Sequence, residues 1–526
     1  MITGKNLWPN AVLALDHRGI RFDSERGAYT GAPSSLFEAL ETSALRFPDK
    51  PAVVLETGDV YTFSQLKSMS VDVASRLTQY RVTKGSKIGL LLDNSIELFI
   101  ALYAVSRLGA VAVMLPGKLK VPALMELVER AQPDLIIAEP ERLDLLEECG
   151  YPTDTMPGIM AAEPMVGHLP MVEAGGDELA LMMFTSGTSN TPKTVAISND
   201  NIIQAAMSYE KVFNLDKNDR LIFGVPLYHV TGVIAIIAQI TLTGCTLYLQ
   251  RRFHPERFLK WAREVQATYI HASPTVFELM LRSWPDNFEI PSIRILACGA
   301  ASMPSSRILR LKNRLPDAEF RTIYGLTETT SPASIFPVDA GDSEHIGASG
   351  WAIPGVDLRI VAEGGFEVDN GEIGEIEVRG STVCLGYIDA HGRIEKFEWL
   401  PTGDLGFVDD HGFLYVVDRK KDQINRGGEK IYPHVVEEAL SNIDSVVDTC
   451  VVGIEDELYG EIPAALYVAN HEISPSYLTA ELKKNLASYS VPSIMLQVDE
   501  IPRTVGLKTD RKAVKRILRE LVVDKV

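Results

Sequence analysis

The chain has 526 residues, of which 46% are hydrophobic, so it exceeds the size of a single core and two to four structural units are expected. Its formal net charge of −19 argues against nucleic acid as a partner, since binding a phosphate backbone requires lysine and arginine clustered on one face. Five scattered cysteines lack metal-ligand spacing and fit a reducing cytoplasm better than a disulfide framework.

The start of the chain, MITGKNLWPN, lacks the apolar stretch of a signal peptide. The longest apolar region, residues 96–115, is interrupted by Glu97 and Arg107, so no membrane insertion is predicted. Together with the cysteine usage, these features predict a soluble protein of the cytoplasm.

Helix-like and strand-like stretches alternate along the first two thirds of the chain. From residue 34 to about 172, amphipathic stretches alternate with short β-branched or Leu-rich runs, and the pattern repeats over residues 179–325. Such alternation predicts βαβ units around mainly parallel sheets, and hence two similar α/β subdomains. The candidate strands are residues 87–92, 111–115, 135–138, 221–225, 246–249, 268–271 and 293–297.

Beyond residue 350 the chain changes to short strands punctuated by glycine, which is typical of an antiparallel, barrel-like unit. The charged run DRKKD at residues 418–422 then interrupts the pattern. The sequence therefore predicts an α/β fold class with a large N-terminal domain, residues 1–418, of two βαβ-type subdomains plus a smaller β-barrel-like subdomain. A hinge at residues 419–423 and a small, mobile α+β C-terminal domain at residues 424–526 follow.

The run FTSGTSNTPK, residues 184–193, sits between an apolar segment and the strand-like residues 194–197. Small residues, hydroxyls and a lysine in one turn suit a phosphate group, although the spacing is not that of the GxxxxGK[ST] loop. The run resembles the phosphate loop TSGTTGxPKG of the acyl-adenylate-forming enzymes, the superfamily of acyl-CoA synthetases, peptide-synthetase adenylation domains and luciferases. Asn190 and Thr194 replace family glycines, which predicts a stiffer loop.

Further motifs follow in the family's order, so that the resemblance extends from residue 61 to residue 508. It implies that Tyr324 of YGLTET stacks on adenine, that Thr327 bonds the α-phosphate and that Glu328 holds Mg²⁺. It also implies that Asp404 of PTGDLG accepts hydrogen bonds from the ribose hydroxyls, with Arg419 nearby. The full set of ATP-binding or AMP-binding residues implied by the resemblance is Thr185, Ser186, Gly187, Thr188, Lys193, Gly299, Ala300, Tyr324, Gly325, Asp404 and Arg419.

The segment PLYHVTG, residues 226–232, resembles the family's acyl-pocket motif in aryl-acid and alkyl-acid CoA ligases. Amino-acid-activating members usually carry an aspartate nearby that pairs with the substrate amine. No aspartate is present here, so the acid is predicted to be a plain organic acid rather than an amino acid. The implied pocket residues are Tyr228, His229, Val230, Val233 and Gly299.

The C-terminal motifs resemble those that serve the two half-reactions of the family. Lys508 in PRTVGLK matches the adenylation lysine, whose ammonium can bridge the attacking carboxylate and an α-phosphate oxygen. The implied catalytic residues are thus Lys508, Thr327 and Glu328, and Leu507 is a departure from a family glycine. Lys421 occupies the hinge position. Gly427 and Gly428 match the loop that faces the site in the second half-reaction.

The resemblance implies a ligase that activates a carboxylic acid as acyl-AMP, with ATP and Mg²⁺ required, and then transfers the acyl group. Three acceptors stay open. In acyl-CoA synthetases a YKxPK-like segment meets CoA phosphates, but here it is YSVPS, with Ser490 and Ser493 at the basic positions. Tyr459 remains available to stack on the adenine of CoA. CoA and an amino-acid amine, as in coronafacate ligase, therefore stand level, ahead of a separate carrier protein.

Overall fold

The computed structural model describes residues 1–14, 16–146, 149–165, 172–186, 192–504 and 509–523. Within these residues, a large N-terminal part contains two wide mixed sheets, an antiparallel sheet and one short hairpin, and a smaller C-terminal part has a sheet of its own. The predicted fold class, α/β with a barrel-like unit and a small α+β C-terminal domain, is confirmed.

The first wide sheet has a parallel centre and an antiparallel edge. In spatial order, its described strands are Ile394–Glu395, Gly386–Ile388, Pro192–Ser198, Leu179–Ser186, Val111–Met114, Lys87–Leu91, Leu135–Ala138 and Thr153–Thr155. The strands from Leu179–Ser186 to Thr153–Thr155 are parallel to their neighbours, and the others pair antiparallel. The central strands Val111–Met114 and Leu135–Ala138 are buried along their whole length, which is typical of a sheet covered on both faces.

The second wide sheet is also mainly parallel. In spatial order, its described strands are Trp351–Ala352, Ser334–Ile335, Glu319–Tyr324, Ile295–Cys298, Tyr269–Ala272, Arg220–Phe223, Thr246–Leu249, Pro51–Leu55 and Val60–Thr62. The candidate strands of the sequence are all present, with bounds that differ from the predicted ones by two residues at most.

The two sheets exchange elements across the predicted boundary between the subdomains. Strand Pro51–Leu55, from the first repeat, pairs in parallel with Thr246–Leu249 of the second sheet. Conversely, the hairpin of Leu179–Ser186 and Pro192–Ser198 belongs to the first sheet, where Gly386–Ile388 from the barrel-like region joins it. The boundary near residues 172–179 therefore does not separate the sheets, because strand pairing depends on long-range contacts that local patterns do not encode.

The third sheet is antiparallel, as the glycine-punctuated sequence predicts. In spatial order, its described strands are Ile2–Thr3, Val356–Val361, Gly374–Gly380, Leu400–Val408 and Leu414–Arg419. A separate hairpin joins Arg21–Asp23 to Ala28–Thr30.

The C-terminal part is built on the antiparallel pair Val446–Asp456 and Gly460–Ala469. The remaining strands of this sheet, in chain order, are Ile424–Arg426, Glu429–Ile431 and Ile494–Gln497. The C-terminal helices are Pro433–Ser441, Pro475–Leu482 and Arg511–Val523. This part meets the large one through Asp448, which is 3.1 Å from the Arg307 guanidinium of helix Ser305–Arg314 and also pairs with Arg503.

The helices of the large part cover both wide sheets. Its helices of eight residues or more are Leu36–Arg46, Phe63–Leu77, Ile96–Arg107, Val121–Ala131, Asn199–Phe213, Thr231–Ala238 (a π-helix), Pro255–Glu264, Pro274–Arg282 and Ser305–Arg314. Helix Asn199–Phe213 is buried along most of its length and begins at a capping box formed by Ser198 and Asn201. No helix among the described residues has the length and apolar content needed to cross a bilayer.

Candidate active site

The described residues at both ends of the predicted phosphate loop lie in two paired antiparallel strands of the first sheet, Leu179–Ser186 and Pro192–Ser198. Thr185 and Lys193 are paired across the hairpin, and Ser186 is opposite Pro192. Thr194 is a buried strand residue opposite Phe184, a position that a β-branched side chain fills well. Gly187, Thr188 and Asn190 lie outside the described residues, so the predictions made for them stay predictions.

A buried carboxylate and two hydroxyls form the end of the site nearest this hairpin. Glu328 is 9% exposed, and its Oε1 accepts hydrogen bonds from Thr185 Oγ1 at 3.1 Å and from the Tyr387 hydroxyl at 2.9 Å. The Lys193 ammonium lies 4.2 Å from the centroid of the Tyr387 ring, within range of a cation–π interaction. Tyr387 therefore links the lysine of the hairpin to the carboxylate of the YGLTET segment. We call Glu328, Thr185, Tyr387 and Lys193 the phosphate corner.

A second buried carboxylate lies in the middle of strand Leu400–Val408. Asp404 is 3% exposed; its Oδ1 is 2.7 Å from Arg419 Nε, and its Oδ2 accepts a hydrogen bond from the Tyr324 hydroxyl at 2.9 Å. Arg419 reaches it because the two residues are paired on adjacent antiparallel strands. We call Asp404, Tyr324 and Arg419 the ribose corner.

Electrostatics in the ribose corner are dominated by burial. Burial raises the pKa of Asp404 above its ordinary value of 3.8, the Arg419 charge and the Tyr324 hydrogen bond oppose that rise, and the Glu328 charge adds to it. Burial also raises the pKa of the Tyr324 phenol well above its ordinary 10, so this hydroxyl stays protonated and remains a donor. Because the Glu328 charge acts on Asp404, the two corners belong to one electrostatic environment.

Gly325 and Gly299 differ in the space that the protein leaves for a side chain at each position. A Cβ on Gly325 would stand 1.5 Å from the Ser331 carbonyl oxygen, so the folded chain excludes any side chain there. A Cβ on Gly299 would instead make ordinary contacts, 3.5 Å from the Ile323 carbonyl oxygen and 3.7 Å from His271 Nε2. Packing of the protein therefore leaves room at Gly299. The next residue, Ala300, has a left-handed backbone with φ of 71°.

The Thr327 side chain is half-buried in the loop that follows Gly325. The described residues make no hydrogen bond to its hydroxyl, although its backbone carbonyl accepts one from the amide of Thr330 at 3.1 Å. The hydroxyl thus has its hydrogen-bonding capacity available to a ligand.

The predicted acyl-pocket segment leads into a π-helix, Thr231–Ala238. The rings of Tyr228 and His229 are in contact, with centroids 4.5 Å apart, and Val233 is fully buried while Val230 is partly buried. Burial raises the pKa of Tyr228 to about 12. π-Helical turns occur often at functional sites, where they re-aim side chains relative to an ordinary helix.

Asn94, a residue that sequence reasoning missed, holds the acyl-pocket segment in position. Its side-chain amide donates to the carbonyls of Val225 at 2.9 Å and Gln250 at 3.1 Å, while its Oδ1 accepts from the amide of Leu227 at 2.8 Å. All three of these hydrogen bonds join the Asn94 side chain to backbone groups. Asn94 therefore fixes the path of the chain rather than facing a ligand. Tyr387 was missed as well, since a lone tyrosine in a short edge strand carries no motif.

In the C-terminal part, Gly427 and Gly428 both have left-handed backbones, with φ of 60° and 97°. The Gly427 amide donates to the carbonyl of Tyr459 at 2.8 Å. Arg426 lies over the Tyr459 ring at 4.7 Å and donates to the Tyr489 carbonyl at 2.7 Å. Arg426 thereby joins Tyr459 to the YSVPS segment, the two places considered for CoA in the sequence analysis.

Lys421 is exposed beside the strand that ends at Arg419. Leu507 and Lys508 lie outside the described residues, so the role expected for the adenylation lysine stays a prediction. Within the described ranges, His, Cys, Asp and Glu residues form no group of three or more suited to a metal ion. A cation in this site would therefore need ligands other than His, Cys, Asp and Glu side chains to complete its coordination.

The fold and the paired corners define an adenylate-forming ligase. The chain belongs to the AMP-binding enzyme family, whose profile matches residues 40–388, and the profile of the AMP-binding enzyme C-terminal domain matches residues 435–508. The superfamily assignment made from the motifs is thus confirmed.

Two similar proteins that match nearly the whole chain are named as CoA ligases. The chain is 32% identical over 472 residues to the 2-succinylbenzoate–CoA ligase of Bacillus licheniformis, covering 88% of this chain and 96% of the relative. It is 28% identical to the long-chain-fatty-acid–CoA ligase FadD13 of Mycobacterium tuberculosis, covering 90% and 95%.

Solved structures of o-succinylbenzoate CoA synthetase from Bacillus subtilis are also similar. The complex with the acyl-adenylate intermediate OSB-AMP is 28% identical with a TM-score of 0.80, covering 91% of this chain and 97% of that one. The complex with ATP and magnesium ion is 28% identical with a TM-score of 0.81, covering 91% and 99%.

Proposed function

We propose that this protein is an ATP-dependent acid–CoA ligase that forms an acyl-AMP with release of pyrophosphate and then transfers the acyl group to the CoA thiol. Thiolate attack on the acyl carbon would form the thioester, and the carbon–oxygen bond to AMP would break as AMP leaves. The observation that carries the proposal is the pair of corners, in which two separate carboxylates are arranged along one site with different partners.

In this proposal each corner holds one part of ATP. Asp404 would accept hydrogen bonds from the ribose hydroxyls, since a carboxylate fixed by Arg419 and Tyr324 suits a vicinal diol. Tyr324 would offer its ring to the adenine. Thr327 and Lys193 would contact the phosphates, one through a hydroxyl donor and the other through its charge.

The residues of the phosphate corner fit a magnesium ion. Among the described residues, the buried Glu328 carboxylate is bonded by neutral hydroxyls only, so its negative charge favours a hard cation that also binds phosphate oxygens. A magnesium ion held by Glu328 and the phosphates of ATP would supply neutralisation of phosphate charge. Thr185 and Tyr387 would fix the orientation of the carboxylate.

The choice of CoA over an amino-acid amine rests on two observations. The relatives that span nearly the whole chain are named as CoA ligases. In addition, Arg426 supplies a positive charge between Tyr459 and Tyr489, which offsets the loss of basic residues at Ser490 and Ser493. A phosphate of CoA could pair with this guanidinium while Tyr459, 43% exposed, stacks on its adenine.

We also propose that Lys421 and its neighbours at residues 419–423 form the hinge between a large domain of residues 1–418 and a small one of residues 424–526. Rotation there would bring Gly427 and Gly428 to the site for thioester formation. Their left-handed backbones suit a loop that approaches a ligand closely.

The acceptor is tested by incubating the protein with ATP, Mg²⁺ and a panel of organic acids, with CoA in one series and an amino-acid mixture in another. We expect AMP, pyrophosphate and an acyl-CoA identified by mass. An amide in the second series, with no acyl-CoA in the first, would reject CoA as the acceptor, and formation of ADP would reject adenylation.

The adenylation lysine is tested by Lys508→Ala, which should abolish acid-dependent pyrophosphate release without loss of folded structure. Lys483→Ala, at an exposed position, is the matched control and should keep wild-type activity. Release that is unchanged in Lys508→Ala would remove this lysine from the mechanism.

A further inference from the structure

His271 is a buried histidine beside the proposed acyl pocket that no motif singles out. It lies near the end of strand Tyr269–Ala272 in the second sheet, is 3% exposed, and is paired with Ala297 on the neighbouring strand. The Gly299 amide donates to the carbonyl of Ala272 at 3.2 Å, so the loop that begins at Gly299 is attached to the end of the strand carrying His271.

The ring of His271 is fixed by two tyrosines. Its Nδ1 is 2.9 Å from the Tyr269 hydroxyl, and its ring meets that of Tyr209 edge-on, with centroids 5.8 Å apart. Tyr209, on helix Asn199–Phe213, bonds through its hydroxyl to Ser331 Oγ at 2.8 Å. The imidazole is therefore held in one orientation by groups from a strand, a helix and the loop after YGLTET.

The hydrogen bond to Tyr269 determines which ring nitrogen carries the proton. Among the described residues, the Tyr269 hydroxyl has His271 as its hydrogen-bond partner and no other. Donation of the phenol proton to Nδ1 is the arrangement that leaves this buried proton paired, and we assign the hydrogen bond in this sense. Burial lowers the pKa of His271 to about 3 and raises that of Tyr269 well above 10, so both groups stay neutral at physiological pH. A neutral imidazole that accepts at Nδ1 carries its proton on Nε2.

The Nε2–H group points to the space beside Gly299. This nitrogen is 3.7 Å from the position that a Cβ on Gly299 would take, and no hydrogen-bond acceptor for it occurs among the described residues. Nε2 is not among the fully buried polar atoms of the described residues that lack a partner, so it borders space that a small molecule can reach. A ligand that covered this donor without offering it an acceptor would remove it from water unpaired, which is costly. An all-hydrocarbon acid in this space would leave the Nε2–H donor without an acceptor.

We propose that His271 is a specificity-determining residue, and that the acid activated by this enzyme carries a neutral hydrogen-bond acceptor, such as a ketone or ester oxygen, away from its carboxylate. The inference rests on the proposed function, because it takes the space beside Gly299 as the acyl pocket. A neutral donor in a desolvated site favours a neutral acceptor over a second carboxylate, whose charge would require a cation.

The test measures acid-dependent ATP–pyrophosphate exchange, which reports adenylation and requires no acyl acceptor. Straight-chain and phenyl-substituted acids are each paired with their oxo counterparts and with dicarboxylic acids of equal length. In the wild type, kcat/KM for the best oxo acid should exceed that of its hydrocarbon partner by about 10- to 100-fold. His271→Phe, which keeps a ring but removes the donor, should erase this ratio, with a larger loss of kcat/KM on the oxo acid than on the hydrocarbon acid.

Two further variants separate hydrogen bonding from packing. His271→Gln keeps an N–H donor and should retain part of the preference, and Tyr269→Phe should weaken it by freeing the ring proton to occupy either nitrogen. His345→Phe is the matched control, because His345 is stacked on Phe413 at 4.0 Å in another part of the large domain, and it should leave the ratio unchanged.

A wild-type preference for hydrocarbon or dicarboxylic acids, or an oxo preference that survives His271→Phe, would overturn the proposal. Either result is independent of the acceptor. If exchange proceeds with the expected selectivity and no acyl-CoA forms, CoA as acceptor fails and the role of His271 stands. If acyl-CoA forms without that selectivity, the role of His271 fails and the proposed function stands.

Discussion

The ribose corner and the phosphate corner each contain a buried carboxylate, but the protein neutralises them differently. Asp404 has a guanidinium 2.7 Å from one oxygen and a phenol on the other. Glu328 has, among the described residues, a threonine and a tyrosine hydroxyl on a single oxygen. Asp404 is thus paired directly with a cation, whereas the Glu328 carboxylate is bonded only by hydroxyls among the described residues, with the Lys193 ammonium on the ring of Tyr387 instead, and can therefore bind a further cation.

This difference indicates that the two corners contribute to different steps. A carboxylate already paired with a cation, which grips neutral hydroxyls, mainly serves binding and lowers the Michaelis constant for ATP. A carboxylate that can bind a further cation beside transferring phosphates contributes most when charge develops in the transition state. Substitutions in the phosphate corner should therefore lower kcat, and those in the ribose corner should raise KM.

Glu328→Gln should have the largest effect, because it removes the charge with which the phosphate corner can bind a further cation. We expect kcat/KM for pyrophosphate release to fall by about 100- to 1,000-fold, most of it in kcat, with a higher Mg²⁺ requirement. Titrating Mg²⁺ at saturating ATP measures this. The matched control is Glu363→Gln at an exposed turn, which should behave as wild type. A Glu328→Gln enzyme with an unchanged Mg²⁺ profile would refute the assignment.

Asp404→Asn should follow in size and act on binding. The amide is a poorer acceptor for the ribose diol, and we expect KM for ATP to rise by about 10- to 100-fold with a smaller change in kcat. Arg419 is 46% exposed and can be rehydrated when its partner is neutral, and burial already disfavours the ionised form of Asp404, so the free energy of unfolding should change by no more than about 1 kcal/mol. Calorimetry with AMP measures the loss of nucleotide binding, and thermal unfolding measures the change in stability. A loss confined to kcat would contradict the contrast between the corners.

Tyr387→Phe should have a smaller effect. It separates the hydrogen bond that the Tyr387 hydroxyl donates to Glu328 from the contact of the Tyr387 ring with Lys193. Losing the hydroxyl removes one of the hydrogen bonds that orient Glu328, and we expect kcat to fall by about 10-fold. The ring stays under Lys193 in this variant. Tyr387→Leu removes it too and should cost about a further 2- to 5-fold, the size of an exposed cation–π contact. Equal activity of the two variants would show that the ring does not position Lys193.

The contrast between the corners also shows what the sequence could and could not predict. Tyr324, Glu328, Asp404 and Arg419 were predicted from motifs, because each stands in a short segment whose residue types suit the chemistry expected of it, and the structure gives them the contacts described above. Tyr387 was not, since it reaches Glu328 only through pairing of Gly386–Ile388 with the phosphate-loop hairpin. Long-range strand pairing has no local signature.

The same limit applies to the fold and the acyl pocket. Strands Leu135–Ala138 and Thr246–Leu249 were predicted with correct bounds, because continuous apolar runs mark buried parallel strands. That Pro51–Leu55 would join the second sheet was not predicted. Asn94 and His271 act through backbone and ring geometry that appears only after the chain has folded.

The smallest expected effect is a pH dependence that belongs to the ribose corner alone. Burial raises the pKa of Asp404 above 3.8, so as pH falls this carboxylate is protonated before an ordinary aspartate would be. The protonated acid is a poorer acceptor for ribose hydroxyls, so affinity for AMP should weaken as pH falls toward 3.8 from above, and AMP binding in that range should release a proton.

The effect of the same titration on the stability of the fold has the opposite sign. Because the folded state binds this proton more tightly than the unfolded state, the site's contribution to stability is present at low pH and is lost as pH rises through the raised pKa. Calorimetry with AMP in buffers of different ionisation enthalpy measures the proton release. Asp404→Asn cannot titrate and should keep only the pH dependence that comes from the phosphate of AMP, whose second pKa is about 6. Equal pH profiles of AMP affinity in the wild type and in Asp404→Asn would mean that the ionised carboxylate does not hold the ribose.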